Sequence, residues 1–360
     1  MKGVFVSDCE GPISKNDNAY ELTSHFVPNG DKLFALISKY DDVLADVLKK
    51  QGYNAGDTLK LILPFLKAYG VTDRKMQEFS ARTLLLIAGT RETLRHLASV
   101  AEAFIVSTSY EHYILALCKF IGFPFTNTYC TRISLDKYHF TAIEDGLLKA
   151  IAYELSQMPL ITIPDGAKTL DDFSGQDQQT IRLLDDFFWT QIPAIGGGRI
   201  FAEVTTVGGE QKAEAIRDIA KKRKLPISEV MYVGDSITDV QAFQLVREGG
   251  GLTVSFNGNN YAVKNAEVSV MSDNNVVIGV LADVFHKYGK TRTLKLVQNW
   301  NAEFLKQSSI DPVLLKHFFA LFPKALPKVQ IVTQSNMESL SKESSEFRKK
   351  VRGEGVGQLG

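Results

Sequence analysis

The stretch that decides the fold is Val4-Phe5-Val6-Ser7-Asp8-Cys9-Glu10-Gly11-Pro12. Its β-branched and aromatic residues are typical of a strand, and the Gly-Pro pair after the two carboxylates favours a turn. We therefore expect Asp8 and Glu10 at the carboxyl end of a strand, which in open α/β sheets is the edge where ligands bind. Such a string is by itself more often an ordinary loop start, so its interpretation depends on the rest of the chain.

Length and composition narrow the class of protein. The 360 residues are 44% hydrophobic and 23% charged, enough for two or three domains with their own cores. Lys+Arg and Asp+Glu both number 41, so no overall basic field favours nucleic acid or an anionic membrane as a partner. Three widely spaced cysteines fit neither a disulfide framework nor a zinc site, and no apolar run approaches the ~20 residues of a membrane span. We expect a cytoplasmic protein, and the sequence does not indicate a protein partner.

The periodicity of apolar residues divides the chain into segments. Residues 15–98 show helical spacing almost throughout, which predicts an all-helical cap domain inserted after the first strand. Residues 143–202 form a second insertion of mixed helix and loop, and residues 289–334 are expected to be helical. The last segment, 335–360, is rich in Ser, Lys, Glu and Gly, which favours a mobile tail.

Two further apolar runs end in polar residues, as the first strand does. Ser107 and Thr108 follow one run, and Asp235 and Asp239 follow another in the string Gly234-Asp235-Ser236-Ile237-Thr238-Asp239. In a parallel sheet these polar groups lie along one edge, within reach of Lys212 on a helix. The predicted fold class is α/β, a three-layer Rossmann-like parallel sheet with an inserted helical cap and extra helical segments.

Carboxylates that meet at one edge repel one another unless a cation lies between them. Oxygen ligands without nearby His or Cys favour Mg²⁺, which typically acts together with substrate phosphates. Ser107, Thr108 and Lys212 would then donate to phosphate oxygens. Taken singly, Asp235 is more often part of a helix cap, and Lys212 is more often a solvated surface charge.

The order of these residues resembles the four motifs of the haloacid dehalogenase superfamily of phosphatases. They read Asp8-Cys9-Glu10-Gly11-Pro12, Ser107, Lys212 and Gly234 to Asp239 in this chain. The resemblance implies a catalytic core formed by residues 1–14, 99–142 and 203–288. The helical block after the first motif is similar to the cap of the phosphoserine-phosphatase-like branch.

The resemblance also implies a role for each motif residue. Asp8 would be the nucleophile that becomes an aspartyl phosphate, and Glu10 the general acid and base. The implied Mg²⁺ ligands are Asp8, the backbone carbonyl of Glu10, Asp235 and, in support, Asp239. The implied activity is hydrolysis of a small phosphate monoester, with Ser107, Thr108 and Lys212 binding the phosphoryl oxygens.

Two positions depart from the family pattern and keep other functions open. Glu10 stands where Asp is usual, and Pro12 stands where Thr is usual. A phosphotransferase would use the same aspartyl phosphate and pass it to an alcohol. A catalytically weak interaction subunit with the same fold is the other alternative.

Substrate specificity is expected in the cap, which can close over the site and exclude water. The polar cap residues to test first are Asp17, Glu21, Arg74 and Arg82. The two acids follow the nucleophile closely, and the arginines would suit a substrate carboxylate. Each of the four, taken singly, is more often a surface charge.

Overall fold

A seven-stranded sheet forms the centre of the protein in the computed structural model, which describes residues 3–357 and 359. The strand order is β3-β2-β1-β4-β5-β6-β7. The strands are β1 (Gly3–Ser7), β2 (Ala101–Tyr110), β3 (Thr128–Thr131), β4 (Val230–Gly234), β5 (Leu252–Phe256), β6 (Val268–Met271) and β7 (Lys328–Ile331). The predicted α/β class is confirmed by this largely parallel sheet.

The first strand lies between β2 and β4 and runs parallel to both, with Val6 opposite Phe104 on one side and Tyr232 on the other. Every residue of β1 is buried, as its uninterrupted apolar character predicts for a central parallel strand. The backbone N–H of Asp8 extends this pairing by donating to the carbonyl of Val233 at 2.8 Å. The polar residues at the carboxyl ends of β1, β2 and β4 therefore meet at one edge of the sheet.

The last strand, β7, pairs antiparallel with β6 at the edge of the otherwise parallel sheet, and it lies within residues 289–334, where only helices are expected. The strand has only four residues, and of these only Val329 is buried. The strand alternates polar and apolar residues, but four residues are too few to distinguish this pattern from that of a loop.

Helices cover both faces of the sheet and build the inserted regions. The α-helices are Asn18–Phe26, Gly30–Asp42, Thr58–Ala68, Asp73–Thr83, Thr90–Val100, Glu111–Ile121, Ala142–Gln157, Gly175–Asp186, Gly197–Glu203, Glu210–Arg223, Val240–Glu248, Asn260–Asn265, Val276–Gln298 with a kink at Gly289, Ala302–Gln307, Pro312–Leu321, Met337–Arg352 and Glu354–Gly357. Two π-helical turns, Val43–Val47 and Phe187–Gln191, continue the helices that precede them.

The two insertions share one hydrophobic core. Apolar residues of the first block, such as Leu61 and Phe65, belong to the same buried cluster as Ile151 and Phe188 of the second. Polar contacts also join them: the Tyr40 hydroxyl donates to Asp185 at 2.5 Å and accepts from the indole N–H of Trp189 at 2.7 Å. Residues 143–202, expected as a separate insertion, therefore pack as part of the cap.

The carboxyl-terminal segment, expected to be a mobile tail, contains the helix Met337–Arg352. Leu340, Ser344 and Arg348 of this helix are buried, and the Ser344 hydroxyl donates to the carbonyl of Gly258 at 2.6 Å. Low mean hydropathy suggested disorder, but a spacing of four residues places these side chains on one helix face. The segment therefore packs against the helix Asn260–Asn265 and the strand β6.

None of the helices in the described part of the chain combines the length and the hydropathy that a membrane span requires.

A buried histidine gives a prediction about acid stability. Both ring nitrogens of His286 are buried without a hydrogen-bond partner in the part of the chain that the structure describes, and burial lowers the pKa of His286 from 6.5 to about 4. Because the unfolded chain binds the proton more tightly, stability falls as the pH drops from 6.5 towards 4. We expect His286→Phe to reduce this acid-induced loss of unfolding free energy by about 2 kcal/mol, allowing for partial exposure.

The measurement is urea unfolding at pH 7 and at pH 4.5, with the same substitution at exposed His139 as the control. If wild type and His286→Phe lose the same unfolding free energy between pH 7 and pH 4.5, His286 is not the source of the acid sensitivity.

Candidate active site

The loop after β1 turns sharply and leaves the Asp8 carboxylate at the sheet edge. The N–H groups of Ile13 and Ser14 both donate to the carbonyl of Cys9, each at 2.9 Å. Gly11 lies in this turn with φ +105°, and a Cβ atom there would come within 2.2 Å of an Asp235 carboxylate oxygen. Glycine is thus required at position 11, because only hydrogen leaves room for the acid on the neighbouring strand.

Pro12 fits this turn even though it replaces the family's usual Thr. Its carbonyl accepts a hydrogen bond from the side-chain amide of Asn275 at 2.7 Å. The neighbouring Cys9 thiol is fully buried, and burial raises its pKa well above its ordinary value. Cys9 is therefore a packed side chain, not an activated nucleophile.

Lys212 lies between two of the carboxylates. Its ammonium nitrogen is 2.6 Å from Oδ2 of Asp8 and 2.7 Å from Oδ1 of Asp239, and the side chain is 0% exposed. The lysine lies in the first turn of the helix Glu210–Arg223, which begins directly after Gly208 and Gly209. A buried ammonium group needs such partners, because its desolvation is repaid only by close opposite charges.

The loop after β4 holds Asp235 and Asp239 in a fixed relation. The N–H groups of Asp235 and Ser236 donate to Oδ2 of Asp239 at 2.8 and 2.9 Å, and the Tyr232 hydroxyl donates to its Oδ1 at 2.6 Å. A Cβ atom at Gly234 would lie 2.4 Å from the Asp239 carboxyl carbon. Asp239 therefore shapes the loop, while Asp235 faces the cavity.

Three carboxylate oxygens, one each from Asp8, Asp235 and Asp239, lie within 4.8 Å of one another, and all three residues are buried. This set consists of hard oxygen donors, and among the described residues no other group of three or more His, Cys, Asp or Glu meets that criterion. Such a donor set fits Mg²⁺. In this structure Lys212 pairs with Asp8 and Asp239, while Arg348 and Arg352 pair with Asp235.

Burial and the neighbouring charges shift the pKa values of the groups in this cluster. Burial, opposed by Lys212 and reinforced by the charges of Asp239 and Asp235, raises the pKa of Asp8 to about 7. Burial alone would lower the pKa of Lys212, but the carboxylates of Asp239 and Asp8 outweigh it and hold that pKa above its ordinary value. The lysine is therefore charged.

Glu10 and Asp17 lie side by side at the mouth of the site. The backbone N–H of Asn18 donates to Oε1 of Glu10 at 2.7 Å, and that of Tyr20 donates to Oδ1 of Asp17 at 3.0 Å. Burial, and for Glu10 also the charge of Asp17, raises the pKa of both carboxyl groups. Asp17 is also the N-cap of the helix Asn18–Phe26, which begins the cap domain.

Ser107 and Thr108 lie near the carboxyl end of β2, on the side of Asp8 away from β4. The Ser107 hydroxyl lies 3.1 Å from that of Ser109, whereas the Thr108 hydroxyl is buried with no hydrogen-bond partner among the described residues. Both residues line a cavity of ≈ 90 Å³ together with Asp8, Glu10 and Asp235. The cavity lies between the sheet edge and the cap residues Phe34, Ser38, Asp41 and Leu59.

Sequence reasoning missed two arginines at this cavity. Arg348 and Arg352, from the helix Met337–Arg352, both donate to Oδ2 of Asp235, with Arg352 at 3.1 Å. Arg352 also donates to the carbonyls of Lys15 and Asn16 in the loop after the first motif. The signal that would have found them is the spacing of Leu340, Ser344, Arg348 and Arg352 along one helix face.

The other predicted specificity residues lie outside the cavity lining. Glu21 accepts two hydrogen bonds from the side-chain amide of Asn16, at 2.9 and 2.8 Å, and burial raises its pKa to about 7. Arg74 and Arg82 are exposed on the helix Asp73–Thr83, and Arg74 pairs with Glu78. The structure thus brings Asp17 to the site and leaves both arginines on the outer surface of the cap.

Comparison with protein families matches residues 165–283 to a model described as haloacid dehalogenase-like hydrolase. The matched residues include Lys212, Asp235 and Asp239, but not Asp8 or Ser107. A sequence comparison with curated proteins gives no significant match. The predicted resemblance to this superfamily is confirmed.

Comparison with solved structures gives the same fold. A gene product of Archaeoglobus fulgidus is similar over 100% of this chain and 99% of its own, with a TM-score of 0.80 and 24% identity. A phospho-aspartyl intermediate analogue of phosphoserine phosphatase covers 77% of this chain and 97% of its own, with a TM-score of 0.45 and 12% identity. An apo phosphoserine phosphatase covers 81% and 100%, with a TM-score of 0.41 and 14% identity.

The carboxylate cluster gives a prediction about metal binding. We expect Mg²⁺ to raise the unfolding free energy by about 2.7 kcal/mol at a hundred times its Kd, because the ion would relieve repulsion among the buried carboxylates. Asp235→Asn should remove most of this gain, as measured by thermal unfolding with and without Mg²⁺. Exposed Asp136 provides the matched control, Asp136→Asn. An equal gain in Asp235→Asn and wild type would exclude Asp235 as a ligand.

Proposed function

We propose that this chain, of which residues 165–283 match a haloacid dehalogenase-like hydrolase model, hydrolyses a small phosphate monoester through an aspartyl phosphate on Asp8. One observation carries the proposal. The Asp8 carboxylate stands at the edge of the sheet, paired with Lys212, grouped with Asp235 and Asp239, and open to a cavity that Ser107 and Thr108 also line.

In the first step a carboxylate oxygen of Asp8 attacks phosphorus. The new P–O bond forms as the bond to the leaving alcohol breaks, and Glu10 transfers its proton to the departing oxygen. The position of Glu10 supports this role, because it lines the same cavity and the Asn18 N–H orients its carboxyl group. The products of this step are the free alcohol and phosphorylated Asp8.

In the second step water attacks the phosphorus of the aspartyl phosphate. Glu10, now ionised, takes a proton from that water, and the P–O bond to Asp8 breaks to release inorganic phosphate. The carboxylate of Asp8 and the protonated Glu10 are then restored. The net reaction is one phosphate monoester and one water giving one alcohol and one inorganic phosphate.

Binding of the phosphoryl group is assigned to Ser107, Thr108 and Lys212. The Thr108 hydroxyl supports this assignment, because it is buried beside the cavity and lacks any partner among the described residues. Asp8, Asp235 and the backbone carbonyl of Glu10 would hold Mg²⁺, with Asp239 supporting it through Lys212 and the loop. Bound Mg²⁺ would stabilise the negative charge on the phosphoryl oxygens.

The volume of the cavity favours a small substrate. A space of ≈ 90 Å³ between the sheet edge and the cap accommodates a phosphoryl group and little more, so the rest of a substrate requires the cap to move. A folded phosphoprotein would not enter it. The proposed activity is therefore that of a phosphatase for a phosphorylated metabolite, with a helical cap similar to that of the phosphoserine-phosphatase-like branch.

Asp8→Asn tests the nucleophile. Asparagine keeps the size of the side chain but cannot form the acyl phosphate, so phosphate release should fall by about 10³-fold or more. The measurement is a screen of small phosphate monoesters with Mg²⁺, with Asp136→Asn as the control and with an alcohol added in parallel reactions. Phosphorylated alcohol in place of inorganic phosphate would identify a phosphotransferase, and unchanged activity in Asp8→Asn would refute the proposal.

Glu10→Gln tests the general acid and base. The substitution should lower kcat by about 10²- to 10⁴-fold for alkyl phosphates. The rate of aspartyl phosphate formation should fall much less with p-nitrophenyl phosphate, because its leaving group needs no protonation. A pre-steady-state burst of p-nitrophenol measures this first step separately. A loss of the burst as large as the loss with alkyl phosphates would assign Glu10 another role.

A further inference from the structure

We propose that Arg348 is a substrate-binding residue, which donates hydrogen bonds to an anionic oxygen of the phosphorylated substrate. This inference rests on the proposed function and deepens it. It makes the helix Met337–Arg352, at the far end of the sequence from Asp8, a part of the active site.

The first argument is the incomplete bonding of Arg348. Its Nη1 atom donates to the side chain and to the backbone carbonyl of Asp235, the latter at 3.2 Å. Among the described residues, its Nη2 atom has one long contact of 3.4 Å, with the carbonyl of Leu359, and its buried Nε atom has no partner. The residue is 3% exposed and lines the cavity, so unused donors adjoin the proposed phosphoryl site.

The second argument is the contrast with Arg352, four residues further on. Its Nε, Nη1 and Nη2 atoms are all engaged, by Lys15, Asp235 and Asn16 respectively. Arg352 therefore ties the end of the helix to the loop after the first motif. This tie fixes the position of Arg348, whose guanidinium group retains capacity for a ligand.

The third argument is distance. Arg348 is within hydrogen-bond range of Asp235, and an oxygen of Asp235 lies within 4.8 Å of one of Asp8. A phosphoryl group bound for transfer to Asp8 would thus have oxygens close to Arg348. The Asp17 carboxylate lies close enough to Arg348 and Arg352 to offset part of their positive charge. Substrate recognition therefore depends more on the positions of the guanidinium N–H donors than on net charge.

Two sources can provide the anionic oxygen: the phosphoryl group itself or a carboxylate elsewhere in the substrate. Three probes separate them, namely inorganic phosphate, O-phosphoserine and O-phosphoethanolamine, which lacks the carboxylate of phosphoserine. The variants are Arg348→Gln and Arg348→Lys. The control is Lys342→Gln, an equal loss of charge on the exposed face of the same helix.

We expect Arg348→Gln to weaken binding of inorganic phosphate in the presence of Mg²⁺ at least tenfold by calorimetry if the oxygen belongs to the phosphoryl group. The KM of both monoesters then rises together. If the oxygen belongs to a carboxylate, only the KM of phosphoserine rises at least tenfold. Arg348→Lys keeps the ion pair with Asp235 but loses the fork of donors, so it should show the same pattern with a smaller change.

Unchanged phosphate binding together with unchanged KM values in a folded Arg348→Lys protein would overturn the inference, whether or not Arg348→Gln folds. A rise in activity in either variant would also overturn it, because the helix would then obstruct the site. If wild type binds phosphate but hydrolyses neither monoester, the binding arm still tests Arg348, and only the proposed function fails.

Discussion

The ammonium group of Lys212, held between Asp8 and Asp239, is the interaction on which the site depends. It is fully buried, 2.6 and 2.7 Å from its two partners, and it joins the first strand to the loop after the fourth. Oxygens of Asp8 and Asp235 also lie within 4.8 Å of each other, and such hard oxygen donors fit Mg²⁺, while Arg348 and Arg352 pair with Asp235 in this structure. The site requires β1 to lie between β2 and β4, because neighbouring parallel strands bring the polar residues at their carboxyl ends to one edge of the sheet.

Two regions far apart in sequence close this edge from above. The cap is formed by the helical block after β1 together with residues 143–202, since both contribute to one apolar core. The helix Met337–Arg352 covers the other side and is tied by Arg352 to the loop after Asp8. The chain thus uses its second insertion to enlarge the cap and its carboxyl end to complete the wall of the cavity. Both additions enclose the site that the parallel sheet creates.

The core of this arrangement could be predicted from sequence, because strand ends carry local signals. Asp8, Ser107 and Asp235 each follow an apolar run, and a parallel sheet brings such positions together. Lys212 could be identified only from its position in the sequence between the other motifs, because nothing in the neighbouring residues distinguishes a buried lysine on a helix from an exposed one. The spacing of four residues that marks Arg348 is informative only once its polar segment is known to be a packed helix, and β7 has too few residues to be recognised. Arg74 and Arg82 had a suitable charge in the cap but lie on its outer face.

The most direct test of the central claim is a crystal structure of the protein with Mg²⁺ and fluoroberyllate, a mimic of the phosphoryl group. The account predicts beryllium bonded to a carboxylate oxygen of Asp8, Mg²⁺ shared by Asp8 and Asp235, and fluorine atoms within hydrogen-bond distance of Lys212. Fluoroberyllate bound away from Asp8, or a metal ion that does not contact Asp235, would contradict it.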